Sequence, residues 1–244
     1  FALAVARSHG GAVAEARAAL QEALAIAREL DDARGVAAAL HDVGMLDREA
    51  GDLDSAVSLL DEAMTIWRRL DDAHWIAVTA SNLGDAYRLA GDAQRAGVCF
   101  DESAGRYAGL GDRFGLGVVA NQRGLVEQAA GRPGVAMRRH AEALRHFDAV
   151  RAPLGVIESI EWLAVAAAET HAEAALRLFA AAAAAREVRG LTPLPVDAAP
   201  VAAGLERARR AAGPGAETAL SDGATLPLDE ARDAAFALAD EWRR

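Results

Sequence analysis

Apolar residues in this chain recur three and four apart in stretches of about seventeen residues, and polar turn residues separate the stretches. The first clear stripe is Val13, Ala16, Leu20, Ala23, Leu24 and Ala27, which predicts an amphipathic helix over 12–30. The same spacing predicts helix pairs at about 33–49 with 53–70, 73–89 with 93–109, 113–129 with 133–149, and 153–168 with 172–188. The separators keep step. Gly51-Asp52, Gly91-Asp92 and Gly131-Arg132 stand forty residues apart. Gly44, Gly84 and Gly124 precede them by seven, and Ala56, Ala96 and Ala136 follow the first glycine by five. Leu30-Asp31-Asp32, Leu70-Asp71-Asp72 and Leu110-Gly111-Asp112 repeat at the same interval. Glycine past a helix end takes the left-handed conformation, and aspartate caps the helix that follows. A fixed period of this length predicts a solenoid of stacked helix pairs.

The period stops near Gly190, so the chain is read as a solenoid over 1–189 followed by a linker and helical cap over 190–244. Pro193 and Pro195 predict an extended stretch over 191–197. Beyond it come a helix at about 199–212, a Gly213-Pro214-Gly215 break, a helical stretch to about 221, and a last helix at about 228–242. The helix at 172–188 is apolar on nearly every side, which predicts burial. Its cover is expected from Val201, Leu205, Leu220, Leu228, Phe236 and Leu238. At the other end, residues 1–8 read as the end of a helix closed by His9-Gly10-Gly11, in a chain read as a piece of a longer protein. Leu3 and Val5 would then be exposed, and dimerisation through that edge is expected.

The repeat resembles the tetratricopeptide family in its residues. One unit supplies Leu83, Gly84 and Tyr87, then Ala96, Phe100 and Ser103; the one before it supplies Val43 and Gly44, then Ala56, Leu60 and Ala63. The third has Gly124, Ala136 and Ala143 but departs with Arg123 and with His140 at a large apolar position. The fourth has Leu163 and Ala164, then Ala175, Phe179 and Ala182. The resemblance implies an all-α, right-handed superhelix of helix pairs closed by a helical cap. The ending is similar to that of large bacterial LuxR-type and SARP-type ATP-binding transcriptional regulators. It rests on Ala175–Phe179, Arg186–Gly190, Arg207–Arg210, Ser221-Asp222-Gly223 and Leu228–Ala231. Where such endings carry a tryptophan and a capping serine, this chain has Leu220 and Pro227.

Composition narrows the function. A net charge of −10 and a pI near 5.1 argue against nucleic-acid binding by this region, because phosphate contacts need a basic stripe. All 26 basic residues are arginine, so chemistry that needs a lysine is excluded. Cys99 is the only cysteine, so no disulfide framework exists and a cytoplasmic setting is expected. No apolar run is long enough to predict a membrane span. His9, His41, His74, His140, His146 and His171 form no pair with metal-ligand spacing, and no metal or cofactor is expected. No serine or cysteine has a visible base partner, and Glu158 with Glu161 reads as a wet helix face.

The remaining candidate chemistry is recognition. The resemblance implies a concave face lined by the first helix of each pair. Its expected ligand-binding residues are His41, Arg48, Ser81, Asp85, Arg88, Asn121, Gln128, Glu158 and Glu161. Arg48 and Arg88 occupy equivalent positions one repeat apart and suit a carboxylate, which a guanidinium binds as a fork. Both are expected to be solvent-exposed, so that removing them leaves stability nearly intact. The expected function is a non-catalytic recognition or sensor arm of a larger bacterial regulator. It would bind a protein segment, a peptide or a small effector, or dock on neighbouring domains of its own chain. A free-standing interaction scaffold is the alternative, and an enzyme with its site in the groove ranks third.

Overall fold

Aspartate caps and left-handed turn residues set the helix ends in the computed structural model, which describes residues 10–192 and 195–241. The helices are α1 (Gly10–Glu29), α2 (Ala33–Ala50), α3 (Leu53–Arg69), α4 (Ala73–Leu89), α5 (Ala93–Leu110) and α6 (Arg113–Ala129). They continue with α7 (Pro133–Ala149), α8 (Pro153–Ala167), α9 (Ala172–Arg189), α10 (Pro195–Ala212), α11 (Ala216–Ala224) and α12 (Leu228–Glu241). Asp32, Asp52, Asp72, Asp92 and Asp112 each accept from the backbone N–H three residues on, at 2.9–3.2 Å. Each satisfies a donor that the first helical turn would leave orphaned. From α7 onward the aspartates give way: Arg132 and Ala152 cap nothing with their side chains, and Pro133 and Pro153 stand in the first turn instead. Proline there gives up an N–H that had no partner anyway. The fold class is all-α and of the helical-repeat, solenoid type.

The chain divides into two compact units, Phe1–Gly111 and Asp112–Arg244. In the first, α1 to α5 pack each on the next. Its core holds Leu40, Met64, Trp67 and Ile76 in one cluster, and Leu60, Leu83 and Ala86 in another. Trp67 and Trp75 stack with centroids 5.1 Å apart, one on each side of the α3–α4 turn. Gly84 faces the ring of Phe100, and a Cβ there would lie 2.6 Å from it. The same close approach recurs at Gly44 with Leu60 and at Gly124 with His140, in the middle of the first helix of those pairs.

In the second unit α6 to α9 again pack in sequence, while α10, α11 and α12 all lie on α9. The core runs from Met137, Leu144, Ile157, Ile160 and Leu163 through Leu176, Leu178 and Phe179 to Ala208, Ala219, Ala235 and Leu238. Val201, Leu205, Leu220, Leu228 and Phe236 pack against it, partly buried. Gly223 sits so close to the backbone of Arg177 that any side chain would overlap it. The expected extended stretch over 191–197 needs correction, because α10 already begins at Pro195. A proline is tolerated in a first turn, and Pro200 withdraws only one backbone donor from the helix that continues past it. Leu3, Val5 and the helix end at 1–8 lie outside the described residues.

Candidate recognition face

Arg48 lies in the last turn of α2, while Asp85 and Arg88 lie one turn apart near the end of α4, so the stacking of two helix pairs brings the three together. Arg48 Nη1 donates to Asp85 Oδ2 at 2.9 Å, and Arg88 Nε donates to Asp85 Oδ1 at 2.8 Å. Arg88 Nη2 reaches the same oxygen at 2.7 Å. The side chains are only 14%, 13% and 20% exposed for Arg48, Asp85 and Arg88, which corrects the expectation of solvent-exposed arginines. A forty-residue step between equivalent helices places each arginine within reach of the same carboxylate, which shields both. One carboxylate between two guanidiniums leaves the cluster with a net positive charge on a chain whose total is −10.

His41 and Ser81, expected on an open inner wall, are also buried. His41 Nδ1–H donates to Thr79 Oγ1 at 3.1 Å, and Asn82 Nδ2–H donates to His41 Nε2 at 3.2 Å. That pattern requires the neutral imidazole, and its pKa is held down to about 4, first by burial and then by the nearby Arg48 charge. Trp75 meets the same ring edge-on at 5.4 Å.

The second unit holds the corresponding positions on α6 and α8. Asn121 Nδ2 donates to Ser159 Oγ at 3.0 Å, and Ser159 Oγ donates to the Gly155 carbonyl at 2.8 Å. His140 Nδ1–H donates to Asn121 Oδ1 at 3.0 Å from beneath, at the position where the repeat expects a large apolar residue. Its ring is fully buried, its Nε2 has no partner, and burial holds its pKa down to about 3. Gln128 Nε2 donates to the Trp162 carbonyl at 3.0 Å, and Glu158 is half-buried. Glu161 is buried and bound in a fork by Arg186, with Nε to Oε1 at 2.8 Å and Nη2 to Oε2 at 2.7 Å. It therefore serves to join α8 to α9 and does not stand on an open wall.

Sequence reasoning missed Thr79, Asn82, Ser159, His140 and Arg186 as members of these networks. A legible signal existed for three of them. Thr79 and Ser159 stand two residues before the inner-wall positions 81 and 161 and pair with the residue thirty-eight positions earlier in each case. Arg186 follows a run of alanines on a helix predicted to be buried, which itself demands an acidic partner. Two clefts lie away from these networks. One of about 610 Å³ includes Tyr87, Asp92 and Arg95 in its lining, and the other of about 590 Å³ includes Arg151, Arg189 and Arg232. Among the described residues, no three of His, Cys, Asp and Glu converge as metal ligands. No described helix is long and apolar enough to cross a membrane.

The tetratricopeptide repeat family matches residues 2–69 and 35–103, so the chain carries a tetratricopeptide-repeat region. Repeats of this family serve protein–protein interaction through the extended surfaces their stacking creates. No curated protein matches the sequence. Among solved structures, the crystal structure of BtubC (BKLC) from P. vanneervenii is similar, with a TM-score of 0.68 at 20% identity over 93% of this chain and 92% of that chain. At that identity the likeness is one of fold.

Proposed function

We propose that this chain is a non-catalytic recognition module that binds an acidic protein segment on the face shared by α2 and α4. Arg48 and Arg88 are the anchors, with His41, Ser81 and Asp85 beside them. Asn121, Gln128 and Glu158 form the corresponding surface of the second unit, without Glu161, which is buried in its fork with Arg186. The observation that carries this reading is the meeting of two guanidiniums from equivalent repeat positions at a single carboxylate. A guanidinium has five N–H donors, and Asp85 uses a minority of the ten. The unused donors and the surplus charge suit carboxylates presented along an extended peptide.

The C-terminal helices support a place as the sensor arm of a larger bacterial transcriptional regulator. The Ser221-Asp222-Gly223 segment of that resemblance lies within α11, and at Gly223 only glycine fits against α9. A cytoplasmic setting accords with Cys99, whose thiol is pushed up to about 11 by burial and then by the carboxylate of Asp61. Reading the gene upstream of the Phe1 codon tests the regulator context, where a nucleotide-binding Walker motif is expected and a short leader would refute it.

An array of extended peptides graded in Asp and Glu content, read by fluorescence anisotropy, tests the recognition. Binding should rise with acidity, and Arg48→Ala or Arg88→Ala should weaken it about ten- to a hundredfold. Equal affinity in wild type and both variants would move recognition to another surface.

A further inference from the structure

Asp85 stands out on the line of equivalent positions. A forty-residue step from it falls on Met45 in one direction and on Leu125 and then Val165 in the other. The helix therefore does not need an acid there, yet the one acid present takes the edge of Arg88 and an amino group of Arg48. Arg48 and Arg88 have no other side-chain partner among the described residues, and the three groups are largely shielded from water. We propose that Asp85 is a built-in occupant of an anion site formed by Arg48 and Arg88, with which an incoming carboxylate must compete. This rests on the recognition reading above and adds its specificity. A carboxylate tethered one helical turn from Arg88 acts at a high effective concentration, so a ligand with a single carboxylate loses to it. A segment bearing two or more neighbouring carboxylates regains the advantage by the same multivalent arithmetic. The ligand class is thus a multiply acidic peptide.

The experiment uses the full chain as wild type, Asp85→Asn and Asp85→Ala, with inorganic sulfate as the first probe. The readout is the arginine Nε–H signals of Arg48 and Arg88 in nitrogen–proton correlation spectra at constant ionic strength. Saturable shifts at both signals are expected in the two variants, with at least about tenfold weaker sulfate binding in wild type. Equal sulfate affinity in wild type and variants, or no shift in either variant, would overturn the proposal. So would loss of folded structure by circular dichroism in both variants, because Asp85 would then be a structural brace.

A second arm compares a tetra-glutamate-containing peptide with its single-glutamate counterpart. The variants should gain more affinity for the single-glutamate peptide than for the tetra-glutamate one. Sulfate binding without any peptide binding would keep the self-occupied site and refute the acidic-segment reading. Peptide binding that is indifferent to Asp85 would do the reverse.

Discussion

His41 and His140 show how burial decides the chemistry of a single side chain. Both rings are neutral in the folded chain, with pKa values held down to about 4 and about 3 from an ordinary 6.5. A base whose pKa is lowered by folding takes up its proton more readily once unfolded. Its neutral form therefore contributes stability that is complete above about pH 6.5 and is lost as pH falls from there toward the folded value. His140 lies where Leu60 and Phe100 stand in the two preceding repeats. His140→Phe should therefore flatten the acid side of the stability profile. It should also lower stability uniformly by about 1 kcal/mol through loss of the Asn121 hydrogen bond. Urea unfolding of both proteins at a series of pH values from 7 down to 4 checks this; parallel curves would show that His140 does not govern the acid response.

Helix pairing is where the repeat's small residues act. Gly84 lets α4 approach α5 until the Phe100 ring, itself fully buried, fills the place of a side chain. Alanine gains about 1 kcal/mol of helix propensity over glycine, but overpacking a filled core costs about 1–3 kcal/mol. Gly84→Ala should thus be net destabilising, whereas Gly97→Ala on α5, where a Cβ would meet open space, should stabilise by up to about 1 kcal/mol. Thermal melts of the two variants decide it, and a stabilised Gly84→Ala would mean that the ring can move. The Glu161–Arg186 fork does for α8 and α9 what the ring does for α4 and α5, with the added demand that neither charge be left alone.

At the scale of the molecule, the helices after Gly190 lie on α9, whose Leu176, Leu178 and Phe179 they shield from water. We read them as a cap to the solenoid, since a terminal repeat needs a polar outer face. Ending the chain at Arg189 should therefore cause aggregation or a drop of many degrees in melting temperature. Light scattering and a thermal melt of the shortened chain test this, and a soluble product with an unchanged melt would make residues 190–244 an independent appendage.

The period, the helix-forming stripes, the aspartate caps, the left-handed turns and the recurring glycines are all legible along the chain. The glycines show only as a recurring position, and the fold supplies their close partners, such as Phe100 for Gly84. The stripes, caps and turns depend on residues within a few positions of one another, and the forty-residue step repeats them, so all show as a pattern. Trp67 against Trp75 was legible for the same reason, because both flank one turn. Which polar residues on the inner face stay open depends on packing between distant segments. Arg48 and Asp85 are thirty-seven positions apart, His41 and Thr79 thirty-eight, and Glu161 and Arg186 twenty-five. Partners at that distance meet according to the rotation of one helix against the next, which periodicity leaves undetermined to within a side chain's reach. The start of α10 at Pro195 belongs with these, since a proline reads equally as a linker residue or as a first turn until the packing on α9 selects one.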